Sequence, residues 1–193
     1  MTDQRPITDL DTRTGLPDAL RVLLEQYPRD MWQAHPNFDG LTRFWMERHL
    51  MFRDLMTRLQ TETRNVIDRK GDPQQIAQRS ARMTGFLIDQ LHGHHGIEDA
   101  HYFPQLQAME PRLRRGFEIL DADHHALDAH LQALATGTNA MLRAIAAAQG
   151  IDPRDAAGAL ERQLTELETF LDRHLTDEED LVVPVILHHG AGP

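Results

Sequence analysis

Two stretches of the chain place an imidazole and a carboxylate at the same spacing and in the same surroundings. Residues 94–104 read His94-His95-Gly96-Ile97-Glu98-Asp99-Ala100-His101-Tyr102-Phe103-Pro104. Residues 174–184 read His174-Leu175-Thr176-Asp177-Glu178-Glu179-Asp180-Leu181-Val182-Val183-Pro184. Each is His-x-x-x-Glu followed by a second acid, with a proline six residues beyond the glutamate. Residues four apart share one face of a helix, so each copy presents one imidazole and one carboxylate to the same place. Donors of that kind bind cations.

Four long helical patterns carry these donors. The first runs from about residue 40 to 70, with a stripe of Trp45, His49, Phe52, Met56, Leu59 and Val66. The second runs from about 73 to 107 and places Met83, Leu87, His94, Glu98 and His101 on its inner face. The third, from about 111 to 149, has the seam Leu113, Phe117, Leu120, His124, Leu127, Leu131, Leu134, Met141 and Ile145, ended by Gly150. The fourth, from about 153 to 188, aligns Leu164, Leu167, Leu171, His174, Glu178, Leu181 and Val185. Asp72-Pro73 and Asp152-Pro153 have the form of a cap followed by a first-turn proline. Pro104 and Pro184 should kink or end their helices. No strand pattern competes, so the expected fold is all-α: an antiparallel up-down-up-down four-helix bundle over residues 40–188. Residues 1–39 form an N-terminal extension. It is polar and loose to about residue 15, has a short helix at 16–27, and is a loop at 31–40.

Each seam carries a histidine near its middle: His49, His94, His124 and His174. Burying an imidazole or a charged carboxylate without a partner costs on the order of several kcal/mol. In an up-down-up-down bundle these positions meet in one layer, where a bound cation satisfies them together. Imidazole and carboxylate suit Fe, Mn or Zn. Four His and two Glu exceed the needs of one tetrahedral ion and suit two metals, with Glu98 and Glu178 bridging. The Leu120–Leu127–Leu131 heptad turns His124 rather than His125 inward. His92, His95, His130, His188 and His189 are expected to face solvent. Asp123 and Asp128 are either solvated or partners for ring N–H groups, and the run Asp177–Asp180 reads as a solvated face apart from Glu178.

On these residues the chain resembles the hemerythrin-like family of HHE cation-binding domains. The family order is a lone His, then His-x-x-x-Glu, then both again. His49, His94/Glu98, His124 and His174/Glu178 match it. The resemblance implies a non-haem, bridged di-iron centre that binds, senses or reduces O₂ or a related small oxidant. In hemerythrins the third helix carries a second His one turn after the first; here that position is Asp128. A fifth nitrogen could come from His101, which shares the His94/Glu98 face, or from His95. The departure leaves both uses open: an O₂-binding or sensing module, and a redox enzyme acting on peroxide, O₂ or nitric oxide. A sensor would need a partner protein for its output.

Composition narrows the remaining choices. The 193 residues hold 30 acids, 20 bases and 12 histidines, for a formal net charge of −10. That balance disfavours nucleic acid and anionic membranes as partners. Without cysteine there is no disulfide, thiolate ligand or cysteine nucleophile. No stretch is apolar enough to span a bilayer, the first residues lack the apolar core of a signal peptide, and the cytoplasm is the expected compartment.

Overall fold

A computed structural model describes residues 9–147, except residue 11, and residues 152–190. Among these the chain is helical throughout and has no strand. Four short pieces precede or interrupt the long helices: a 3₁₀ turn at Asp18–Leu20, α1 at Val22–Gln26, a 3₁₀ turn at Arg29–Ala34, and another at Pro111–Leu113. The long elements are α2 (Gly40–Ile67), α3 (Pro73–Ile97), α5 (Arg114–Ala146) and α6 (Pro153–His189). Between α3 and the short α4 (Phe103–Met109) lies a π-helical turn, Glu98–Tyr102.

The starts of the helices follow from local chemistry. Asp72 accepts from the backbone N–H of Gln74 at 2.9 Å, and Asp152 from that of Arg154 at 3.1 Å, each just before the proline that opens α3 or α6. Asp39 caps α2 through the N–H groups of Leu41 and Thr42. The turn between α2 and α3 needs left-handed backbone, supplied by Arg69 (φ 57°) and Gly71 (φ 75°). The backbone widens into the π turn before Pro104 and then continues as α4, while α6 runs through Pro184 to His189, so Pro184 does not end its helix. The stop assigned to Gly150 lies outside the described residues.

Contacts divide the chain into two units. One comprises Met51–Gly93 and Leu127–Thr169. Its buried residues are mostly apolar, among them Phe52, Met56, Leu59, Leu87, Leu131 and Leu164, and none of those described is charged. Met83 is half-buried, and its neighbour Thr84 pairs with Thr138 at 3.1 Å instead. Ion pairs Arg64–Glu161 and Arg79–Glu62 lie at its surface.

The other unit comprises Met1–Leu50, His94–Ala126 and Phe170–Pro193. It holds every donor named above. Its apolar cluster joins Leu16, Leu20 and Leu23 from the N-terminal residues to Trp45, Phe103, Phe117, Leu181 and Val185. A second cluster seats Trp32 against Val183 and Leu187. The N-terminal residues 12–39 are thus packed in place, and Arg13, expected in a loose stretch, is buried. Close packing is visible at Gly116, where a Cβ would stand 2.8 Å from both methyl carbons of Leu181.

Candidate metal centre

Within this unit, two groups of donors lie in the interior. His95, His124 and His174 form one; His49, His94, Glu98 and Glu178 form the other. In each group the ligand-type atoms are all within 4.8 Å of one another. Six of the seven residues are buried and His94 is nearly so. The rings pack edge to face or stacked, with His95 and His124 parallel at 4.0 Å between centroids.

The two glutamates divide their oxygens between the groups. Glu98 Oε1 is 2.8 Å from His94 Nε2, and its Oε2 is 3.6 Å from His124 Nε2. Glu178 Oε1 is 3.4 Å from His49 Nε2, and its Oε2 is 3.5 Å from His174 Nε2. Both oxygens of Glu98, Glu178 Oε2 and Nε2 of His95, His124 and His174 are buried without a hydrogen bond. Buried polar atoms are ordinarily paired, so six such atoms in one place call for a ligand. Imidazole nitrogen and carboxylate oxygen together suit first-row divalent cations.

Helical geometry explains the division. Going round α3, Glu98 lies between His94, four residues back, and His95, three back. One carboxylate can therefore face an imidazole of each group. On α6 the position equivalent to His95 is Leu175, so that helix supplies one imidazole and one carboxylate. Trp45 donates its indole N–H to Glu178 Oε1 and holds that carboxylate in orientation.

The electrostatics prepare the imidazoles as ligands. Burial, reinforced by the charge of His49, lowers His94 to about 3 despite the opposing charge of Glu178. Burial and the neighbouring imidazoles take His95 well below its ordinary range, and burial also lowers His174. These three rings are neutral at pH 7, the form that binds metal. Burial acts the same way on His49, but Glu178 and Glu179 outweigh it and hold that ring at about 8. Burial and the charge of Glu178 push Glu98 well above the usual carboxylate range. Burial also opposes ionisation of Glu178, yet the charge of His49 keeps it well below that range.

Three of the imidazoles are held from behind by carboxylates. His49 Nδ1 is 3.0 Å from Glu179 Oε1, His124 Nδ1 is 2.8 Å from Asp99 Oδ1, and His174 Nδ1 is 3.3 Å from Asp123 Oδ2. Such partners fix the orientation of each ring and turn its Nε2 toward the other donors.

The structure brings together six of the seven residues expected as ligands: His49, His94, Glu98, His124, His174 and Glu178. His101 is a correction. It is exposed and belongs to neither group, because the π turn places an extra residue in the helical turn and carries His101 away from the His94/Glu98 face. His95, expected to face solvent, is buried and supplies the fifth imidazole. His125 is exposed. Asp123 backs His174, whereas Asp128 sits at the surface 3.3 Å from His92. The run Asp177–Asp180 is not a solvated face: Asp177 and Glu179 are buried with Glu178. The absent histidine at Asp128 was the one signal in the sequence that a replacement had to exist.

Two outcomes follow. His95→Ala should lower the metal content of purified protein, and His101→Ala should leave it unchanged, as measured by elemental analysis. Raising the pKa of His49 from 6.5 to about 8 stabilises the metal-free fold fully below pH 6.5, and this contribution is lost as pH rises through 8. A cation must displace that proton, so affinity runs the other way. It should rise about tenfold per pH unit for each proton displaced. Chelator competition and urea unfolding of the metal-free protein, each at pH 6.5 and 8.5, check the opposite signs; His49→Gln should flatten its share of the stability change.

The comparisons with known proteins agree with this geometry. The family model for the hemerythrin HHE cation binding domain matches residues 40–186. No curated protein and no solved structure matches the chain. No described helix is long and apolar enough to cross a membrane. With the match spanning most of the chain and all seven donors inside it, the chain belongs to the hemerythrin HHE cation-binding family.

Proposed function

We propose that this chain is a four-helix-bundle protein that holds two iron ions bridged by Glu98 and Glu178, and that it binds or senses O₂ or a related small oxidant. The observation that carries the reading is the division of each carboxylate between the two donor groups, with both oxygens of Glu98, Glu178 Oε2 and Nε2 of His95, His124 and His174 buried without a hydrogen bond. His95, His124 and His174 would hold one ion, and His49 and His94 the other. Mn or Zn could occupy the same donors. Bound iron supplies reversible redox chemistry toward small oxidants.

The protein's own part is to position and to exclude water. Five imidazole nitrogens and four carboxylate oxygens do not fill two octahedral coordination shells, which keeps room for an exogenous ligand. Trp45, Phe103 and Phe117 are buried in the same unit; Phe103 stacks on His124 at 5.6 Å and Trp45 meets His94 edge-on at 6.0 Å. Neutral His94 and His95 can coordinate without losing a charge-balancing proton.

A second reading is a redox enzyme reducing peroxide, O₂ or nitric oxide. It draws on the three carboxylate-backed imidazoles, which donate more strongly and favour the oxidised metal. Visible absorption of the reduced, iron-loaded protein separates the two. A spectrum that appears with O₂ and disappears on purging supports binding or sensing. Sustained peroxide consumption without a lasting spectrum supports the enzyme. Neither response in protein that contains iron contradicts both.

A further inference from the structure

Residues 9–39 lie outside the part of the chain that matches the family, yet they reach the metal centre twice. Arg13 has a fully buried side chain. Its Nη1 donates to Asp123 Oδ1 at 2.7 Å, its Nη2 to Asp123 Oδ2, and its Nε to Asp177 Oδ2 at 2.7 Å. Asp123 is the carboxylate behind His174. Arg29 Nη1 donates to Glu179 Oε2 at 2.8 Å and its Nε to Asp180 Oδ1 at 2.7 Å. Glu179 is the carboxylate behind His49.

We propose that Arg13 and Arg29 are positioning residues for the metal centre, each fixing one imidazole through the carboxylate behind it: Arg13–Asp123–His174 in the three-histidine group, and Arg29–Glu179–His49 in the other. The proposal rests on the two-metal reading above. It makes the N-terminal segment part of the site, although none of its residues is a ligand.

Backbone contacts secure both arginines. Leu16 N–H donates to Asp177 at 3.2 Å, and Arg173 ties Asp177 at 2.7 Å to the Thr14 carbonyl at 2.5 Å. Arg29 also reaches the Thr176 carbonyl at 3.2 Å and lies over the Trp32 ring at 4.8 Å. Leu16, Leu20, Leu23 and Trp32 anchor the segment in the apolar clusters. At Asp123 the guanidinium forks onto both oxygens and locks the carboxylate in one plane, whereas Arg29 spans Glu179 and Asp180 with one charge-assisted hydrogen bond to each. Both carboxylates thereby present a defined oxygen to a ring N–H. His124 supplies an internal comparison, since its carboxylate, Asp99, comes from within the matched region.

Metal-free protein titrated with Co(II) under chelator competition, followed by visible absorption, tests this. Wild type should bind two equivalents. Arg13→Gln should weaken one equivalent by on the order of 10- to 100-fold, and Arg29→Gln the other, with the helical circular dichroism retained. Arg13→Lys should recover part of the loss, and it reads the same equivalent should Arg13→Gln not fold. Arg21→Gln, at an exposed arginine paired with Asp18, should change nothing. Unchanged affinities in both variants, or equal weakening of both equivalents by each, would overturn the proposal while leaving the two-metal reading intact. A wild type that takes up no Co(II), Fe(II) or Zn(II) would overturn that reading and this proposal with it.

Discussion

Two carboxylates and five imidazoles buried among aliphatic and aromatic side chains are tolerable only if positive charge sits between them. Glu98 and Glu178 are almost completely removed from solvent, and apart from the Trp45 indole N–H on Glu178 their oxygens face imidazole nitrogens. Desolvating such groups costs several kcal/mol apiece unless they are compensated. In the metal-free protein the compensation is partial: burial and the charge of Glu178 favour the protonated form of Glu98, and Glu178 and Glu179 favour the charged form of His49 against its burial. Cations would replace both protons and satisfy the remaining atoms at once. Metal binding and folding are in this way two aspects of one free energy.

The rest of the metal-binding unit can be understood as support for that cluster. Outward from each of three rings stands a carboxylate, and outward from two of those carboxylates stands an arginine. Asp123 behind His174 and Glu179 behind His49 are each offset by a guanidinium, so these buried carboxylates are compensated from the outside. The apolar clusters around it help seal Arg13 from water, which strengthens its ion pairs, while Arg29 stays partly exposed over Glu179 and Asp180. The remaining unit, Met51–Gly93 with Leu127–Thr169, keeps an apolar interior and confines its charges to the surface.

The helices and most of the site were legible in the sequence because both rest on periodicity. Apolar residues three and four apart mark α2, α3, α5 and α6, and the same period puts Glu98 over His94 and Glu178 over His174. His101 was misplaced for the same reason. Its spacing from Glu98 is helical, but the backbone at Glu98–Tyr102 is a π turn, and periodic reasoning assumes the turn it is applied to. His95 stood second to His101 in the sequence because a residue beside an inward ligand usually points away. Here it is buried and stacks on His124. Arg13, Arg29 and the buried Asp177 and Glu179 were illegible for a different reason. Their partners lie about 110 to 165 residues apart in sequence, and a charge that is buried by a distant segment looks, in the sequence, like any solvated charge.

The central claim is that two metal ions share Glu98 and Glu178. X-ray absorption of the iron-loaded protein tests it most directly. The account predicts two irons per chain, nitrogen- and oxygen-coordinated, with an iron–iron scattering vector of about 3.5–4 Å or somewhat shorter. One iron per chain, or two without any iron–iron scattering, would contradict it.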